Sequence, residues 1–266
     1  MDKYTLITGA CGGLGREFVK KCSQLKENLI LVGTNQTKLN LLLKDFSKEF
    51  TDIKVKSYVC NLENLDNIEK LISYIKSEKI YINKLINNAG VIIEGDLLRF
   101  TNEEIVNAIN VNCIGTLYLT KKLIEIRDKN QKFEVLTIAS QAAFQPMPHM
   151  SIYGATKSFL VSIMTAMSEE LKDENVVITT SCPSGMATTD AMKEAIKAMG
   201  FKGKLTSLST EKVAKISLNA LKHKKKIVVP GKINKFIEFV SRPLSISFLT
   251  KTTGKMWKKS QMKRNF

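Results

Sequence analysis

The chain has 266 residues, of which 44% are hydrophobic and 25% charged, which suits one large α/β domain with a sizeable core. Its five cysteines are scattered and lack CxxC spacing, which argues against a disulfide framework or a zinc site and favours a reducing, cytoplasmic setting. No apolar run reaches the roughly 18 residues of a membrane span, and the N-terminus lacks a signal-peptide pattern. The net charge of +16 is spread along the chain except for LKHKKK at 221–226 and the tail KMWKKSQMKR, and no nucleic-acid motif accompanies it, so we expect no nucleic-acid partner.

Short apolar runs alternate with longer amphipathic stretches along the chain. The runs that predict strands are, in order, YTLIT, NLILVG, IKVKSYVC, NKLINNAG, FEVLTIAS, VVITTSCP and KIVVPG. Helical periodicity lies between them, near residues 13–25, 37–49, 65–78, 102–127, 152–172 and 210–222. This alternation predicts right-handed crossovers and an α/β fold, a doubly wound parallel sheet of the Rossmann type with about seven strands and helices on both faces.

A glycine-rich turn follows the first predicted strand. The stretch TGACGGLG, residues 8–15, leads directly into the helix REFVKKCSQL. Glycines at positions 9, 13 and 15 permit a tight turn and a close approach to a pyrophosphate, which would bind at the helix N-terminus. The alternative is an ordinary strand-to-helix turn, but in this position the pattern predicts a dinucleotide site.

The tip of the second strand bears on which dinucleotide binds. Gly33 stands where NAD enzymes usually carry a carboxylate for the adenosine ribose. Thr34, Asn35 and Lys38 can donate hydrogen bonds to a 2′-phosphate, although no arginine clamp is visible here. The sequence therefore favours NADP(H) over NAD(H) and leaves both open.

Tyr153 and Lys157 are four positions apart on a predicted helix, so they project from one face. We expect the ammonium to lower the pKa of the phenol below about 10 and to make it a usable acid or base. By itself the pair proves little, because both residues are common on helix surfaces. Ser140 ends the strand FEVLTIAS thirteen residues before Tyr153, where ligands of such sheets bind, and its hydroxyl can polarise a carbonyl.

Together these motifs resemble the short-chain dehydrogenase/reductase family from Thr5 to about Gly231. TGACGGLG matches the family's TGxxxGxG cofactor turn, NNAG at 87–90 its fourth-strand motif, and VNCIG the segment that carries its helix asparagine, here Asn112. Ser140, Tyr153 and Lys157 fall on the catalytic positions, and PSGMAT at 183–188 falls on the PGxxxT cofactor loop.

The resemblance implies an NAD(P)(H)-dependent oxidoreductase that interconverts a carbonyl and a secondary alcohol by hydride transfer. Tyr153 would exchange the proton, Lys157 would lower its pKa and bind the nicotinamide ribose, and Ser140 would hold the substrate oxygen. Asn112 would anchor a water that relays protons, and no metal is implied. The implied cofactor contacts are Gly9, Gly13, Leu14, Gly15, Thr34, Asn61, Leu62, Asn88, Gly90, Tyr153, Lys157, Pro183, Met186 and Thr188.

Three positions depart from the family pattern. Asn61 replaces the usual acidic residue after the third strand, but its amide can still accept a hydrogen bond from adenine. Ser184 replaces the glycine of the PG pair, and Thr34 replaces a common arginine, which leaves the choice between NAD and NADP open.

The resemblance also bears on the substrate. The mostly apolar stretch at about 186–208 resembles the family's mobile substrate lid and predicts a bulky apolar substrate, such as a hydroxysteroid or a long-chain acyl or aromatic ketone. His149 is expected at the pocket rim, with Gln141, Phe144 and Met147, and not in catalysis.

Residues 1–231 are predicted to form the catalytic domain, and residues 232–266 a helical, basic C-terminal extension of the same domain. We expect the apolar face of this extension to pack on the domain or on a second subunit; peripheral membrane contact is a less favoured alternative. The resemblance implies a homodimer or homotetramer acting on a small-molecule alcohol or ketone. The rival hypothesis is a non-catalytic dinucleotide-binding scaffold or sensor, which would typically show erosion of the catalytic set.

Overall fold

A parallel sheet of seven strands forms the centre of the computed structural model, which describes residues 2–47, 49–188, 193–194, 196–197 and 200–262. The strands are β1 Lys3–Thr8, β2 Asn28–Gly33, β3 Val55–Val59, β4 Tyr81–Asn87, β5 Phe133–Ile138, β6 Val176–Ser181 and β7 Ile227–Val228. Their order in the sheet is β3-β2-β1-β4-β5-β6-β7, and every pairing is parallel. The predicted doubly wound sheet is confirmed, and its crevice lies where the order reverses between β1 and β4.

Helices cover the sheet on both faces. They are α1 Gly13–Gln24, α2 Gln36–Ser47, α3 Leu65–Ser77, α4 Asn102–Ile109, α5 Thr116–Glu125, α6 Ser151–Glu170, α7 Gly200–Thr206, α8 Thr210–Lys222, α9 Lys232–Ser241 and α10 Ile246–Met262. The sequence predicted one helix over residues 102–127, but a π-helical turn at Asn110–Gly115 separates α4 from α5.

Two apolar cores lie on opposite faces of the sheet because successive strand residues point to opposite sides. Leu6 belongs to the core under α3, α5 and α6, whereas its neighbour Ile7 belongs to the core under α1, α2 and α8. The five inner strands β1, β2, β4, β5 and β6 are mostly buried, as their nearly continuous Val, Ile and Leu runs predicted, whereas the edge strands β3 and β7 are partly exposed.

The C-terminal extension folds as α9 and α10, in agreement with the helical segment that its sequence predicted. In the described part of the chain, no helix has the length and apolar character needed to cross a membrane.

Candidate active site

The N-terminus of α1 lies at the carboxyl end of β1 and is open to an anion. Its N-cap, Gly12, offers no side chain to the first-turn N–H groups, and the first turn holds no acidic residue. A methyl group on Gly15 would lie 2.2 Å from the carbonyl oxygen of Gly9, so only glycine allows this tight fold of the turn. The turn therefore fits the pyrophosphate of a dinucleotide.

The glycine turn is held against the end of β4. The Asn88 side chain donates hydrogen bonds to the carbonyl oxygens of Thr8 (3.1 Å) and Gly9 (3.0 Å). In return, the Thr8 hydroxyl accepts hydrogen bonds from the backbone N–H groups of Asn88 (3.0 Å) and Ala89 (3.1 Å). Asn88 thus shapes the dinucleotide turn through the polypeptide backbone.

Basic side chains gather near the exposed tip of β2. Thr34 is exposed there, and Cys11 lies beside Gly33. Burial raises the pKa of the Cys11 thiol, while the positive charges of Arg16 and Lys38 act on it in the opposite direction. Both cations therefore lie close to the position where a 2′-phosphate would distinguish NADP from NAD.

Arg16 was missed by the sequence analysis. It belongs to the first helix, and only the packing of α1 beside β2 brings it near the tip of that strand. Its guanidinium forms an exposed ion pair with Asp45 at 2.7 Å. A signal was nevertheless present, since Arg16 directly follows the last glycine of the turn.

The predicted adenine position follows β3. The Asn61 side chain accepts a hydrogen bond from the backbone N–H of Glu63 (3.1 Å) and donates one to the Glu63 carboxylate (3.3 Å). The side chains of Leu62 and Leu14 are buried in the two apolar cores. Leu62 and Leu14 therefore have only backbone groups to offer a cofactor.

Asn112 lies at 0% exposure in the π-helical turn between α4 and α5. Its amide accepts a hydrogen bond from the backbone N–H of Val91 (2.8 Å) and donates to the Val91 carbonyl (2.9 Å) and to the Thr156 hydroxyl (3.1 Å). The Asn112 side chain thus connects the segment after β4 to α6, the helix of Tyr153 and Lys157.

Lys157 carries its ammonium group into the protein interior. Its Nζ donates to the carbonyl oxygen of Ile138 at 3.0 Å, and burial lowers the pKa of Lys157 to about 8. Burial also raises the pKa of the neighbouring Cys113 and Cys182 thiols to about 11 and about 12, so both stay neutral. A methyl group on Gly90 would lie 3.3 Å from this Nζ and 3.2 Å from the Asn112 oxygen, which places Gly90 against both residues.

Tyr153 and Ser140 meet at the carboxyl end of β5. Ser140 Oγ accepts a hydrogen bond from the Ala142 N–H at 3.1 Å, so its own proton can be donated to the Tyr153 oxygen. Burial raises the pKa of Tyr153, and a hydrogen bond with Ser140 offsets only part of that rise. The sequence-based expectation that Lys157 lowers this pKa is therefore wrong for the protein alone: Nζ lies 5.7 Å from the ring centroid, and burial dominates.

The PSGMAT loop follows β6 and approaches the glycine turn. A methyl group on Gly13 would lie 3.4 Å from the side chain of Thr188, and the Pro183 carbonyl accepts a hydrogen bond from the Gln141 N–H at 2.9 Å. Met186 packs against the core under α1. Residues 189–192, 195 and 198–199 of the predicted lid lie outside the described residues, whereas α7 forms its last part.

The C-terminal helix α10 contacts the rim between Ser140 and Tyr153. The His149 ring stacks on Trp257 with 3.8 Å between ring centroids, and its Nδ1 pairs with Asp96 at 2.5 Å. Trp257 Nε1 donates to Glu94 at 2.9 Å, and Gly254 packs against Pro148. These contacts give His149 a structural role at the rim.

The family is identified by a sequence model for short chain dehydrogenases, which matches residues 3–200. The chain belongs to the short-chain dehydrogenase family. Among its short-chain dehydrogenase relatives, a very-long-chain 3-oxoacyl-CoA reductase of Neurospora crassa is 34% identical over 177 residues, which cover 65% of this chain and 53% of the relative. An uncharacterized oxidoreductase of Staphylococcus epidermidis is 28% identical over 188 residues, 71% of this chain and 79% of that protein. The chain thus spans about half the length of the fungal reductase that it matches.

Solved short-chain dehydrogenase structures share the fold. A 7beta-hydroxysteroid dehydrogenase superposes with a TM-score of 0.85 at 19% identity, over 94% of this chain and 96% of that one. A Sphingobium yanoikuyae enzyme in complex with NADPH gives a TM-score of 0.77 at 21% identity, over 91% and 93% of the chains. A Burkholderia phymatum protein in complex with NAD gives a TM-score of 0.79 at 19% identity, over 91% of this chain and 93% of that one.

Proposed function

We propose that the chain is an NAD(P)(H)-dependent oxidoreductase that interconverts a ketone and a secondary alcohol. The observation that carries the proposal is the joint placement of Ser140, Tyr153 and Lys157 beside the open N-terminus of α1, at the carboxyl ends of neighbouring strands. Family membership supports the same reaction class.

The residues around this crevice fit a nicotinamide dinucleotide. The glycine turn would hold the pyrophosphate, Gly90 and Lys157, which are in contact with each other, would bind the nicotinamide ribose, and the PSGMAT loop with Thr188 would orient the carboxamide. When bound, the nicotinamide supplies the hydride chemistry, and the protein supplies orientation and proton handling.

Proton handling falls to Tyr153 and its neighbours. Because its pKa is raised, the phenol is protonated at neutral pH and can donate to a carbonyl oxygen during reduction. Ser140, whose hydroxyl is hydrogen-bonded to Tyr153 in the protein alone, would donate its proton to the same substrate oxygen. The Asn112 amide already makes three hydrogen bonds, so a proton-relaying water would use the remaining acceptor capacity of this residue.

Replacement of Tyr153 by Phe tests this assignment. Tyr153→Phe should lower kcat by at least about a thousandfold because the proton donor is lost, while the dissociation constant of NADPH stays nearly unchanged. Stopped-flow or steady-state absorbance of the reduced nicotinamide measures turnover, and fluorescence titration measures binding. Tyr58→Phe, on the apolar face under α3, is the matched control. Unchanged turnover of Tyr153→Phe would exclude the proposed role.

The substrate class that we propose is a bulky apolar ketone or alcohol. The apolar composition of the lid segment supports it, as do the names of the relatives, a very-long-chain 3-oxoacyl-CoA reductase and a hydroxysteroid dehydrogenase. A panel of 3-oxoacyl thioesters, hydroxysteroids and aromatic ketones, each with NADPH and NADH, separates these substrates. Cofactor binding without turnover across the whole panel would favour the rival scaffold or sensor.

We propose NADP(H) as the preferred cofactor, since Arg16 and Lys38 lie near the β2 tip and no carboxylate occupies position 33. Arg16→Ala should raise the KM for NADPH about tenfold and leave the KM for NADH nearly unchanged, because only NADPH carries the 2′-phosphate. Arg99→Ala, an exposed arginine outside the crevice, is the control. Equal effects on both cofactors would contradict the preference.

The family and the composition of the chain are the basis for a proposed cellular location and oligomeric state. We propose a cytoplasmic homodimer or homotetramer built on the helices that lead to Asn112 and Tyr153. Val106, Ile109 and Phe159 are large apolar side chains exposed on α4 and α6, which supports an interface there. Light scattering after gel filtration measures the assembly.

A further inference from the structure

Helix α9, KINKFIEFVS, exposes its apolar residues and buries its polar ones. Asn234 and Glu238 are its buried residues. The exposed large side chains, here called the α9 apolar face, are Ile233, Phe236, Ile237, Phe239 and Val240. A helix that packs on a domain through its apolar side shows the opposite distribution. Of the two expected partners of this apolar face, the domain is therefore wrong for α9, whereas a second subunit stays a prediction.

Polar contacts fix this orientation. The Asn234 side chain donates hydrogen bonds to the carbonyl oxygens of Thr206 (2.9 Å) and Pro230 (3.0 Å). The Asn234 carbonyl accepts a hydrogen bond from the Gln141 side chain at 3.0 Å, and Glu238 forms an ion pair with Arg242 at 2.6 Å. Rotation of α9 to bury its phenylalanines would break the hydrogen bonds of Asn234 to Thr206 and Gln141 and would turn Glu238 toward solvent.

Exposed apolar residues continue beyond α9. Leu244, Ile246 and Phe248 follow in the connection to α10 and in its first turn, and each is exposed by more than 40%. Single exposed apolar side chains are ordinary, but a run of this density over two successive elements indicates an interaction surface.

The positive charge of the C-terminal segment indicates which partner the α9 apolar face binds. Residues 232–266 contain nine lysines and arginines and one acidic residue, Glu238, which is paired with Arg242. Lys232 and Lys235 are exposed on α9 itself, beside the α9 apolar face. Basic side chains next to exposed aromatic residues match an anionic lipid surface. Two copies of this segment would bring like charges together, which disfavours self-association through it.

We propose that the α9 apolar face binds anionic phospholipid membranes peripherally, with Phe236 and Phe239 entering the lipid interface and the lysines contacting the headgroups. Because α9 is bonded to Gln141, the residue after Ser140, binding places the substrate side of the crevice next to the lipid surface. The binding itself does not depend on the proposed activity, and it is measured without substrate.

Vesicle co-sedimentation of the full chain tests the proposal. The protein should partition at least about tenfold more strongly onto phosphatidylcholine vesicles with about 30% phosphatidylserine than onto phosphatidylcholine alone. Phe236→Ser combined with Phe239→Ser should lower partitioning onto the anionic vesicles at least about tenfold. Leu98→Ser, at a leucine that is 97% exposed outside this segment, is the matched control and should bind like the unmodified protein.

Each contrary outcome overturns the proposal. If the double serine variant binds as well as the unmodified protein, the high net charge alone accounts for attraction. If gel filtration shows an oligomer that the double variant dissolves, and vesicles do not bind, a second copy covers the face. Lys232→Gln combined with Lys235→Gln leaves the aromatic residues in place and should weaken binding to the anionic vesicles only. If the unmodified protein and all variants bind equally to both vesicle types, the proposal is also overturned.

Discussion

The side chain of Lys157 shows how one buried charge sets the character of the site. Its ammonium is held by the Ile138 carbonyl, and within the described residues no carboxylate pairs with it. Burial therefore lowers the pKa of this lysine, and burial also raises the pKa of Tyr153 nearby. Both shifts have the same cause, the removal of water, and both favour neutral groups in the protein alone.

The lowered pKa of Lys157 predicts a change of stability with pH. Below pH 8 both the folded and the unfolded chain carry this proton, so the cost of burying the charge is constant. Between about 8 and the ordinary value of 10.5 only the unfolded chain keeps the proton, so the free energy of unfolding should rise with pH.

Comparison with Lys157→Met isolates this contribution. From pH 8 to pH 10 the difference in free energy of unfolding, unmodified protein minus variant, should increase by about 2 kcal/mol. Urea unfolding at several pH values measures it, and Lys121→Met, an exposed lysine, should show no such trend. A constant difference would mean that Lys157 keeps an ordinary pKa, and a decreasing difference would mean that its pKa is raised; either result would contradict the prediction.

At the residue scale, motifs located most of the site in advance. Ser140, Tyr153 and Lys157 could be proposed from a strand end and from helix spacing, because local sequence determines where strands stop and which residues share a helix face. Asn112 was implied only by the family resemblance of VNCIG. Arg16 could not, because its proximity to the β2 tip depends on how α1 packs across the sheet. The Tyr153 pKa was misjudged for a related reason, since burial is a property of the folded surroundings.

Among the elements, the π-helical turn Asn110–Gly115 has the clearest structural requirement. The turn brings α5 so close to the chain after β3 that a methyl group on Gly115 would lie 2.1 Å from the Leu62 carbonyl oxygen. Apolar periodicity over residues 102–127 does not reveal the interruption, because the extra residue of a π turn leaves similar apolar spacing on either side.

Gly115→Ala should therefore destabilise the protein strongly. A backbone oxygen cannot move aside like a flexible side chain, so we expect the free energy of unfolding to fall by about 3 kcal/mol or more. Gly154→Ala is the matched control on a helix, where the added methyl group would meet the Ala142 oxygen at an ordinary 3.4 Å. Thermal and urea unfolding measure both variants, and equal stability of the two would refute the close approach.

At the scale of the whole molecule, the candidate active site and a partly buried ion-pair network lie toward opposite ends of the strands. The crevice uses the carboxyl ends of the strands, whereas an ion-pair network lies toward their amino ends. There the buried Lys84 on β4 contacts the carboxylate of Glu27 and lies 3.7 Å from that of Glu134, and Thr5 donates to Glu27 at 2.7 Å. Burial acts to lower the pKa of Lys84, but Glu27, Cys22 and Glu134 together outweigh it and the pKa is raised.

Lys84→Met should separate stability from activity. Removal of the ammonium leaves the Glu27 carboxylate without its cationic partner, while Glu134 keeps Lys132, so the free energy of unfolding should fall by about 3 kcal/mol. The kcat/KM should stay within about twofold of the unmodified protein, because the site lies at the other end of the strands. Urea unfolding and steady-state assays measure the two effects, and Lys84→Met with Glu27→Gln should regain part of the lost stability.

The sheet as a whole could be predicted because alternating strands and amphipathic helices admit few topologies. The orientation of α9 could not, since Asn234 and Glu238 are buried and the phenylalanines exposed, contrary to the hydrophobic pattern. A pattern identifies the apolar side of a helix but does not tell which surface that side meets.

The strand order also determines when the dinucleotide site forms during folding. β1 pairs with β4, so that Tyr4 lies opposite Ile82, and a long loop must close before this central pairing can exist. The hydrogen bonds between Thr8 and Asn88, which shape the glycine turn, belong to that same late step. During synthesis on the ribosome, one edge of β1 therefore stays unpaired until β4 has been synthesised. The glycine turn, which is synthesised first, therefore takes its binding geometry only after β4 and Asn88 have been synthesised.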